Sequence, residues 1–436
     1  MNYGVTMKSE YLVKKIMTKG GERFCMILNS NSGLPLYYQN IYLGLLGRQK
    51  NKSFNTILRK AYVLILFDKY LITENISILE RVSNKTFLSY TELYSLSEFL
   101  RVKRKKRKII DMVTYKKVNE ENLHYRLTVI SDYISWIYDS FYRGSVYETN
   151  SLLNFIKSNF QKHKPKITSY SYMSDNFKSL EKETVEALLE CVSPESEYNP
   201  FERNCRKRNQ LAILILYETG MRGGELLNLK ISDFKRKQRH LKISKRINDP
   251  EDPRVFQPLV KTVEREINIS ERLCMQISSY IEGERSYHAK CKNHDYILVT
   301  HKSGVTEGLP LTISAYNKIM RKIKEIEYEG SSFSHFTGHC LRHTWNYIYS
   351  LKYIGVTDPY KLNELDRIRC IRMGWKVNSK SVLIYNNRFI SEEASRAFQE
   401  ADLLKEEKIK EQYYNEYLIK LKNKESFARK GAQTIS

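Results

Sequence analysis

Two rhythms run through the apolar positions of this chain. Around Gly20-Gly21, residues 11–28 read as two short extended segments and predict a hairpin. From Leu34 the spacing becomes helical. Ile57, Leu58, Ala61, Leu64, Ile65, Tyr70 and Leu71 recur every three or four residues, one face of an α-helix. Leu123, Leu127, Ile130, Ile134 and Ile137 repeat that stripe, with Tyr133 and Trp136 on its flank. Residues 183–192 and 209–219 read as helices, the second stopped by Gly220 in a C′ position. Gly223-Gly224 then opens a short helix carrying Glu225, Leu226, Leu227 and Leu229. Residues 240–246 and 264–270 alternate as strands around a loop with Pro250, Pro253 and Pro258, which predicts a β-ribbon with a long tip. Helical spacing returns over 271–283, 311–325, 339–351 and 379–390. It continues into a charged tail, 391–428, with apolar anchors such as Phe398, Leu404, Tyr414 and Leu421. The pattern predicts a mainly α fold with a small β-ribbon or sheet (α+β), and it contains no internal repeat.

At 436 residues, two domains with ordinary cores are expected. The stretch Lys162–Ser174 has Pro, Ser and Lys but little apolar periodicity, so it reads as a basic linker. The expected division is an N-terminal extension over 1–33, a helical domain over 34–162 and a linker over 163–175. A second domain over 176–390 and a helical tail over 391–436 complete it.

Charge narrows the partner. The formal net charge is +24, and such an excess repels itself unless a polyanion is near, which points to nucleic acid. The run Lys103–Lys108 (KRKKRK) is either a solvated loop, a localisation tag or a strip lying along phosphates. The seven cysteines are odd in number and scattered, as expected of reduced thiols. His288, Cys291 and His294 form an H-x-x-C-x-x-H string without an evident fourth ligand, so no metal site is assigned. The longest apolar runs, Tyr62–Phe67 and Leu211–Tyr217, are too short to span a bilayer. The expected setting is the cytoplasm.

Candidate chemistry clusters in the second domain. Arg222 sits on a glycine-rich turn in Thr219-Gly220-Met221-Arg222-Gly223-Gly224-Glu225-Leu226, where packing of the preceding helix can aim its guanidinium into a cleft. Lys261 precedes the strand 264–270 and can swing as a mobile proton donor, with Lys245 on the preceding strand as the rival. In His339-Cys340-Leu341-Arg342-His343-Thr344, His339 and Arg342 are three apart and share a helix face. His339 and His343 have zinc spacing, but a zinc hydrolase of the H-E-x-x-H kind needs Glu where Cys340 stands. Gly374-Trp375 is followed ten residues later by Tyr385. Two arginines, a lysine, an imidazole, an indole N–H and a phenol suit one task, holding a phosphodiester while an oxygen nucleophile attacks it.

Taken together these strings resemble the tyrosine recombinase (phage-type integrase) family. The resemblance rests on T-G-M-R-x-x-E-L, the Lys before a strand, H-x-L-R-H-T, and G-W followed by Tyr. It covers residues 176–390. Trp375 stands where many members have His. The helical region 34–165 resembles the family's core-binding domain in pattern and position. The resemblance implies a two-domain, C-shaped clamp around double-stranded DNA. It also implies four protomers joining two sites, a monomer or dimer off DNA, and the tail 391–428 as the segment exchanged between protomers.

The implied reaction is strand cleavage by Tyr385, forming a 3′-phosphotyrosyl link and releasing a 5′-hydroxyl without metal, cofactor or ATP. His339 would take the phenolic proton, Arg222 and Arg342 would meet the charge on phosphorus, Trp375 would donate a further hydrogen bond, and Lys261 would protonate the leaving oxygen. A type IB topoisomerase-like nicking-closing enzyme and a non-catalytic DNA-binding regulator of the same fold are the alternatives.

Overall fold

Arg23, Cys25 and Ile27 are buried at alternate positions of one strand, and that alternation builds the first hairpin. In a computed structural model, which describes residues 10–432 apart from 51, 103–116, 143–144, 167–177, 291, 377–378 and 380, β1 (Tyr11–Met17) pairs antiparallel with β2 (Arg23–Asn29). The basic run Lys103–Lys108, Cys291 and most of the expected linker 163–175 lie outside the described residues. Lys162 and His163 form the last turn of a helix rather than a linker.

The chain divides into two units by contact. The first comprises Met1–Tyr170, Arg246–Leu259 and Cys291–His294; the second comprises Ser171–Lys245, Val260–Lys290 and Asp295–Ser436. The expected ribbon tip, 246–259, therefore clusters with the N-terminal unit rather than with the strands that lead into it.

In the first unit, α1 (Tyr37–Arg48), α2 (Phe54–Thr73), α3 (Ile78–Ser83), α4 (Tyr90–Arg101), α5 (Glu120–Phe141) and α6 (Val146–His163) surround one apolar core. The sequence-predicted stripes form its centre: Ile57, Ala61 and Leu64 of α2 and Leu127, Ile130 and Ile134 of α5 are all buried. Fully burying an Ile or Leu side chain contributes about 1.5–3 kcal/mol. Asn40 of α1 ties the hairpin to the helices, accepting from Ile27 N–H at 2.8 Å and donating to Ile27 O at 2.9 Å. The α4 start is a capping box, in which Ser89 Oγ accepts from Glu92 N–H at 3.2 Å and Glu92 accepts from Ser89 N–H at 2.6 Å. Tyr70 of α2 donates to the Glu92 carbonyl at 2.6 Å, fixing α4 against α2.

In the second unit, α7 (Lys182–Cys191), α8 (Arg206–Thr219) and the short α9 (Gly223–Leu226) precede a three-stranded antiparallel sheet. The ribbon is thus larger than expected, with β3 (Phe234–Lys235) beside β4 (His240–Ile243) and β4 beside β5 (Arg265–Asn268). The chain continues through α10 (Glu271–Tyr280), α11 (Ser286–His288) and α12 (Ile313–Lys324). A two-stranded turn of β6 (Glu327–Tyr328) and β7 (Ser331–Ser332) follows, then α13 (Gly338–Ser350) and α14 (Pro359–Met373). The last element, α15 (Ser381–Ala432), is one continuous helix that takes in most of the expected helical segment 379–390 and the helical tail that follows it. Leu216 of α8, Ile267 of β5, Ile323 of α12 and Leu341 of α13 meet in one core.

Candidate active site

Two helix ends shape the site. α8 stops at Gly220 and α14 at Gly374, both left-handed with φ 63°. At Gly220 a Cβ would also come within 2.9 Å of the Trp345 ring, so only glycine fits the turn. Arg342, fully buried on α13, donates from Nη1 to Gly220 O at 2.9 Å and from Nη2 to Met373 O at 3.1 Å. It therefore braces the C-terminal ends of both helices, where carbonyl partial charge favours a cation. Its Nε has no hydrogen-bond partner among the described residues.

Just past Gly220 the backbone at Arg222 is extended, and Glu225 folds back to accept from Arg222 N–H at 3.2 Å. Glu225 is buried and serves as a hub. Its Oε1 accepts from Thr262 Oγ1 at 2.7 Å and its Oε2 from Arg265 Nη2 at 2.7 Å, while Arg222 Nη1 lies 3.7 Å from Oε1. Burial alone would raise the carboxyl, but the Arg265 charge and hydrogen bond, Thr262 and Arg342 outweigh it and hold it below the usual carboxylate range. Arg265 also donates to Arg372 O at 2.7 Å, and Val263 N–H donates to Gly374 O at 3.1 Å. Lys261 sits exposed immediately before this tied segment. Among the described residues no hydrogen bond or ion pair joins it to the other five candidates, and Lys245 is exposed as well.

α13 brings His339 forward at its N-terminal turn. Gly338 is needed there because a Cβ would fall 1.7 Å from Tyr316 Oη. Cys340, the residue that rules out the H-E-x-x-H reading, has a local task, accepting from Thr337 N–H at 3.3 Å in the helix cap. The Tyr385 hydroxyl, on the first turns of α15, lies 2.9 Å from His339 Nε2. Trp375 stacks on the Tyr385 ring with centroids 5.0 Å apart and planes 26° off parallel. The Arg342 guanidinium carbon lies 5.3 Å from the Trp375 ring and 5.7 Å from the Tyr385 ring. Trp375 Nε1 is buried without a hydrogen-bond partner among the described residues. His339, Arg342, Trp375 and Tyr385 thus form one contact cluster, and Arg222 adjoins it through the Glu225 hub and its field.

The field is strongly positive. Burial, then the charges of Arg342, Arg222 and Lys178, lower His339 to about 4, so the ring is neutral at pH 7 and able to accept a proton. Burial and the neighbouring Arg222 lower the Arg342 guanidinium to about 10. A phosphate monoanion bound here would relieve this repulsion, and the donors at Arg222, Arg342 and Trp375 are of the right kind to receive it. Among the described residues no group of three or more His, Cys, Asp or Glu is placed to hold a metal ion. His288 instead bonds Glu307 at 2.8 Å and stacks on His301. Among the same residues no helix is long and apolar enough to cross a membrane.

Sequence reasoning passed over three contributors. His343 packs its ring 4.4 Å from that of Tyr385, and its place in the same string as His339 was the available signal. Lys178 acts through its charge from just beyond the expected linker 163–175, where no motif marks it. Arg265 faces inward from β5, and one Arg among many carries no signal of its own.

Residues 178–355 match the phage integrase family, a span that ends before Trp375 and Tyr385. The chain is similar to transposase A from transposon Tn554 of Staphylococcus aureus, 30% identical over 139 residues that make up 32% of this chain and 35% of that relative. It is also similar to tyrosine recombinase XerD of Halalkalibacterium halodurans, 30% identical over 170 residues, 38% of this chain and 46% of that one. The chain thus spans less than half the length of either curated relative. Among solved structures it is similar to the Tn1549 transposon integrase in complex with transposon right end DNA, 16% identical with TM-score 0.46, covering 80% of this chain and 93% of the other. It is similar too to the XerH site-specific recombinase bound to palindromic difH substrate, 18% identical with TM-score 0.46, covering 80% and 82%.

Proposed function

We propose that this chain, whose residues 178–355 match the phage integrase family, is a tyrosine-type site-specific DNA recombinase that cuts and rejoins duplex DNA through a 3′-phosphotyrosyl intermediate. The observation that carries the reading is the 2.9 Å approach of Tyr385 Oη to a neutral His339 Nε2, with Arg342 and Trp375 against the same phenol ring.

In this reading a phosphodiester sits between Arg222 and Arg342. The Tyr385 oxygen forms a bond to phosphorus as the phenolic proton passes to His339 Nε2. A free phenol titrates near pH ~10, so the base is needed at neutral pH. Charge building on the non-bridging oxygens is met by the two guanidinium groups and the Trp375 N–H, preorganised donors worth roughly 10²–10³ in rate each. The bond from phosphorus to the 5′ oxygen breaks, and that oxygen takes a proton from Lys261. The phosphotyrosine keeps the bond's free energy, so a 5′-hydroxyl from another strand restores the phosphodiester by the reverse path.

Residues 34–162 serve as the core-binding domain and 176–390 as the catalytic domain, with the N-terminal hairpin appended. On two recombination sites the protein assembles as a homotetramer. The exposed Phe398, Leu403, Leu404, Ile409 and Tyr413 of α15 support a role for 391–436 in joining protomers. The test is covalent trapping. Nicked duplexes made from the DNA flanking the gene should yield a protein–DNA adduct with the natural protein and none with Tyr385→Phe. Equal products from both proteins would overturn the proposal.

A further inference from the structure

A row of buried polar groups runs down α13 from Arg342, and no step described above uses the members beyond that residue. Arg342, Asn346 and Ser350 are four residues apart and share one helix face. Asn346 Nδ2 donates to the Arg342 carbonyl at 2.8 Å, and Ser350 Oγ lies 2.9 Å from both Asn346 O and Asn386 Oδ1. Arg369 of α14 completes the row, donating from Nη2 to Ser350 Oγ at 2.8 Å and from Nη1 to Asn386 Oδ1. Asn386 is the residue after Tyr385.

Arg369 is fully buried, yet among the described residues no carboxylate hydrogen-bonds to it. Its guanidinium lies 4.9 Å from the Tyr349 ring and 4.8 Å from the Tyr353 ring. Taking a cation out of water costs several kcal/mol, and an apolar side chain of similar volume is often as stable or more so. Aromatic faces offset part of that cost and carry no directional information about Asn386. The forked donor does carry it, because it holds one oxygen on α13 and one on α15 at a fixed separation.

We propose that Arg369 and Asn386 are positioning residues for the nucleophile. Together with Ser350 they lock the start of α15 against α13, so that the Tyr385 oxygen stays within reach of His339. This rests on the recombinase reading and deepens it. The row links α13, which carries the base and Arg342, to α15, which carries the nucleophile, through groups that touch neither DNA nor the reacting atoms. Packing alone leaves a helix free to turn slightly about its axis. Two hydrogen bonds on the residue beside the nucleophile, from Ser350 and Arg369, which are themselves joined, remove that freedom, and a misplacement of 1 Å costs about 10²-fold in rate.

The experiment measures adduct formation on a nicked duplex at saturating protein, with DNA affinity and thermal stability measured alongside. Arg369→Met is expected to melt at or above the natural protein's temperature and to bind DNA equally, but to form adduct about 10²-fold more slowly. Asn386→Ala, altered on the partly exposed side of the row, is expected to show the same separation of rate from affinity. Asn386→Asp keeps an acceptor for both Arg369 and Ser350 and is expected to stay near the natural rate. DNA whose leaving 5′ oxygen is replaced by sulfur needs no proton donor, and it should leave the defect of Arg369→Met unchanged because the fault lies with the nucleophile.

Natural rates in both Arg369→Met and Asn386→Ala would overturn the inference. So would losses that track a fall in melting temperature, or rescue by the sulfur substrate. If the unaltered protein forms no adduct, the recombinase reading fails and this inference with it. Adduct formation by the unaltered protein together with an unimpaired Arg369→Met removes the inference alone.

Discussion

Trp375 stacks on Tyr385, its ring centroid 5.0 Å from the phenol's, while its Nε1–H has no acceptor among the described residues. The indole therefore has two separable tasks, confining the nucleophile's ring and donating to a phosphate oxygen. Trp375→Phe keeps an aromatic face and removes the donor, so adduct formation is expected to fall roughly 10²–10³-fold with little change in melting. Trp375→Ala removes both and is expected to lower stability as well, by about 3–5 kcal/mol for a buried Trp. Single-turnover cleavage and thermal unfolding of the two variants check this. A Trp375→Phe protein at full rate would exclude the N–H from the chemistry.

Acid should weaken this fold through His343. Burial, then the charges of His339, Lys178 and Arg342, lower His343 to about 3, whereas an unfolded His titrates near ~6.5. Between those values the unfolded chain binds a proton that the folded chain refuses. Stability is therefore fully present above the unfolded value and is lost as pH falls, by up to about 1.4 kcal/mol per pH unit from this residue. Denaturant unfolding at pH 7 and pH 5 should differ accordingly, and His343→Asn should reduce the difference, leaving the share that His339 contributes. Cleavage has its own signature at His339. Bound phosphate offsets the Arg342 and Arg222 charges that help hold that ring near 4, so the acid limb of the rate profile should move upward from free protein to bound complex. Coincident limbs would count against a phosphate seated between those groups.

What the sequence disclosed and what it hid follow from the kind of residue each element buries. The stripes of α2 and α5 were legible because they bury Ile, Leu and Ala at helical spacing. α14 escaped notice because its buried positions are Arg369, Cys370 and Met373, which leave no apolar rhythm. The hydrophobic spacing of Ile156 and Phe160 in α6 is too sparse to stand out among Lys, Asn and Ser. In the site, Arg222, His339, Arg342, Trp375 and Tyr385 could be named because each lies in a short ordered string. Arg265, Arg369 and the loop 246–259 act through partners 40 or more positions away or only 17 away across a turn, and no local pattern records such pairings.

Glu225 should be more important to folding than its distance from the reacting phenol suggests. It neutralises Arg265, whose side chain is 4% exposed, and fixes both the Arg222 turn and Thr262. Glu225→Gln keeps the shape but leaves the buried guanidinium unpaired, a change that typically costs about 3–5 kcal/mol. The carboxyl's lowered pKa adds a sign that can be checked. Its contribution is present above the ordinary carboxylate range and is lost as pH falls through the lower folded value. The natural protein should thus lose more stability on acidification in that window than Glu225→Gln does. A variant that melts like the natural protein would mean that Arg265 finds another partner.

Arg23 clamps the segment 246–259 onto the N-terminal hairpin within the first unit. Its guanidinium donates to Asp252 O at 2.6 Å, Gly21 O at 2.7 Å, Arg254 O at 3.0 Å and Gln257 Oε1 at 3.3 Å. The fit extends to Gly21, at φ 83°, where a Cβ would fall 2.3 Å from Asn248 O. Phe256 adds an apolar anchor, 5.7 Å from the Phe54 ring and with Lys15 Nζ 4.5 Å above it. Hydrogen bonds to a charged donor contribute about 1.5–3 kcal/mol each in favourable cases. Arg23→Ala should release the segment and open new protease cuts between residues 246 and 259, while cuts elsewhere in the chain stay unchanged. Gly21→Ala should do the same by steric pressure alone, with the guanidinium intact. Since Lys245 and Lys261 flank the released segment, the same digests run with and without DNA would reveal whether a bound duplex restores the protection that either substitution removes.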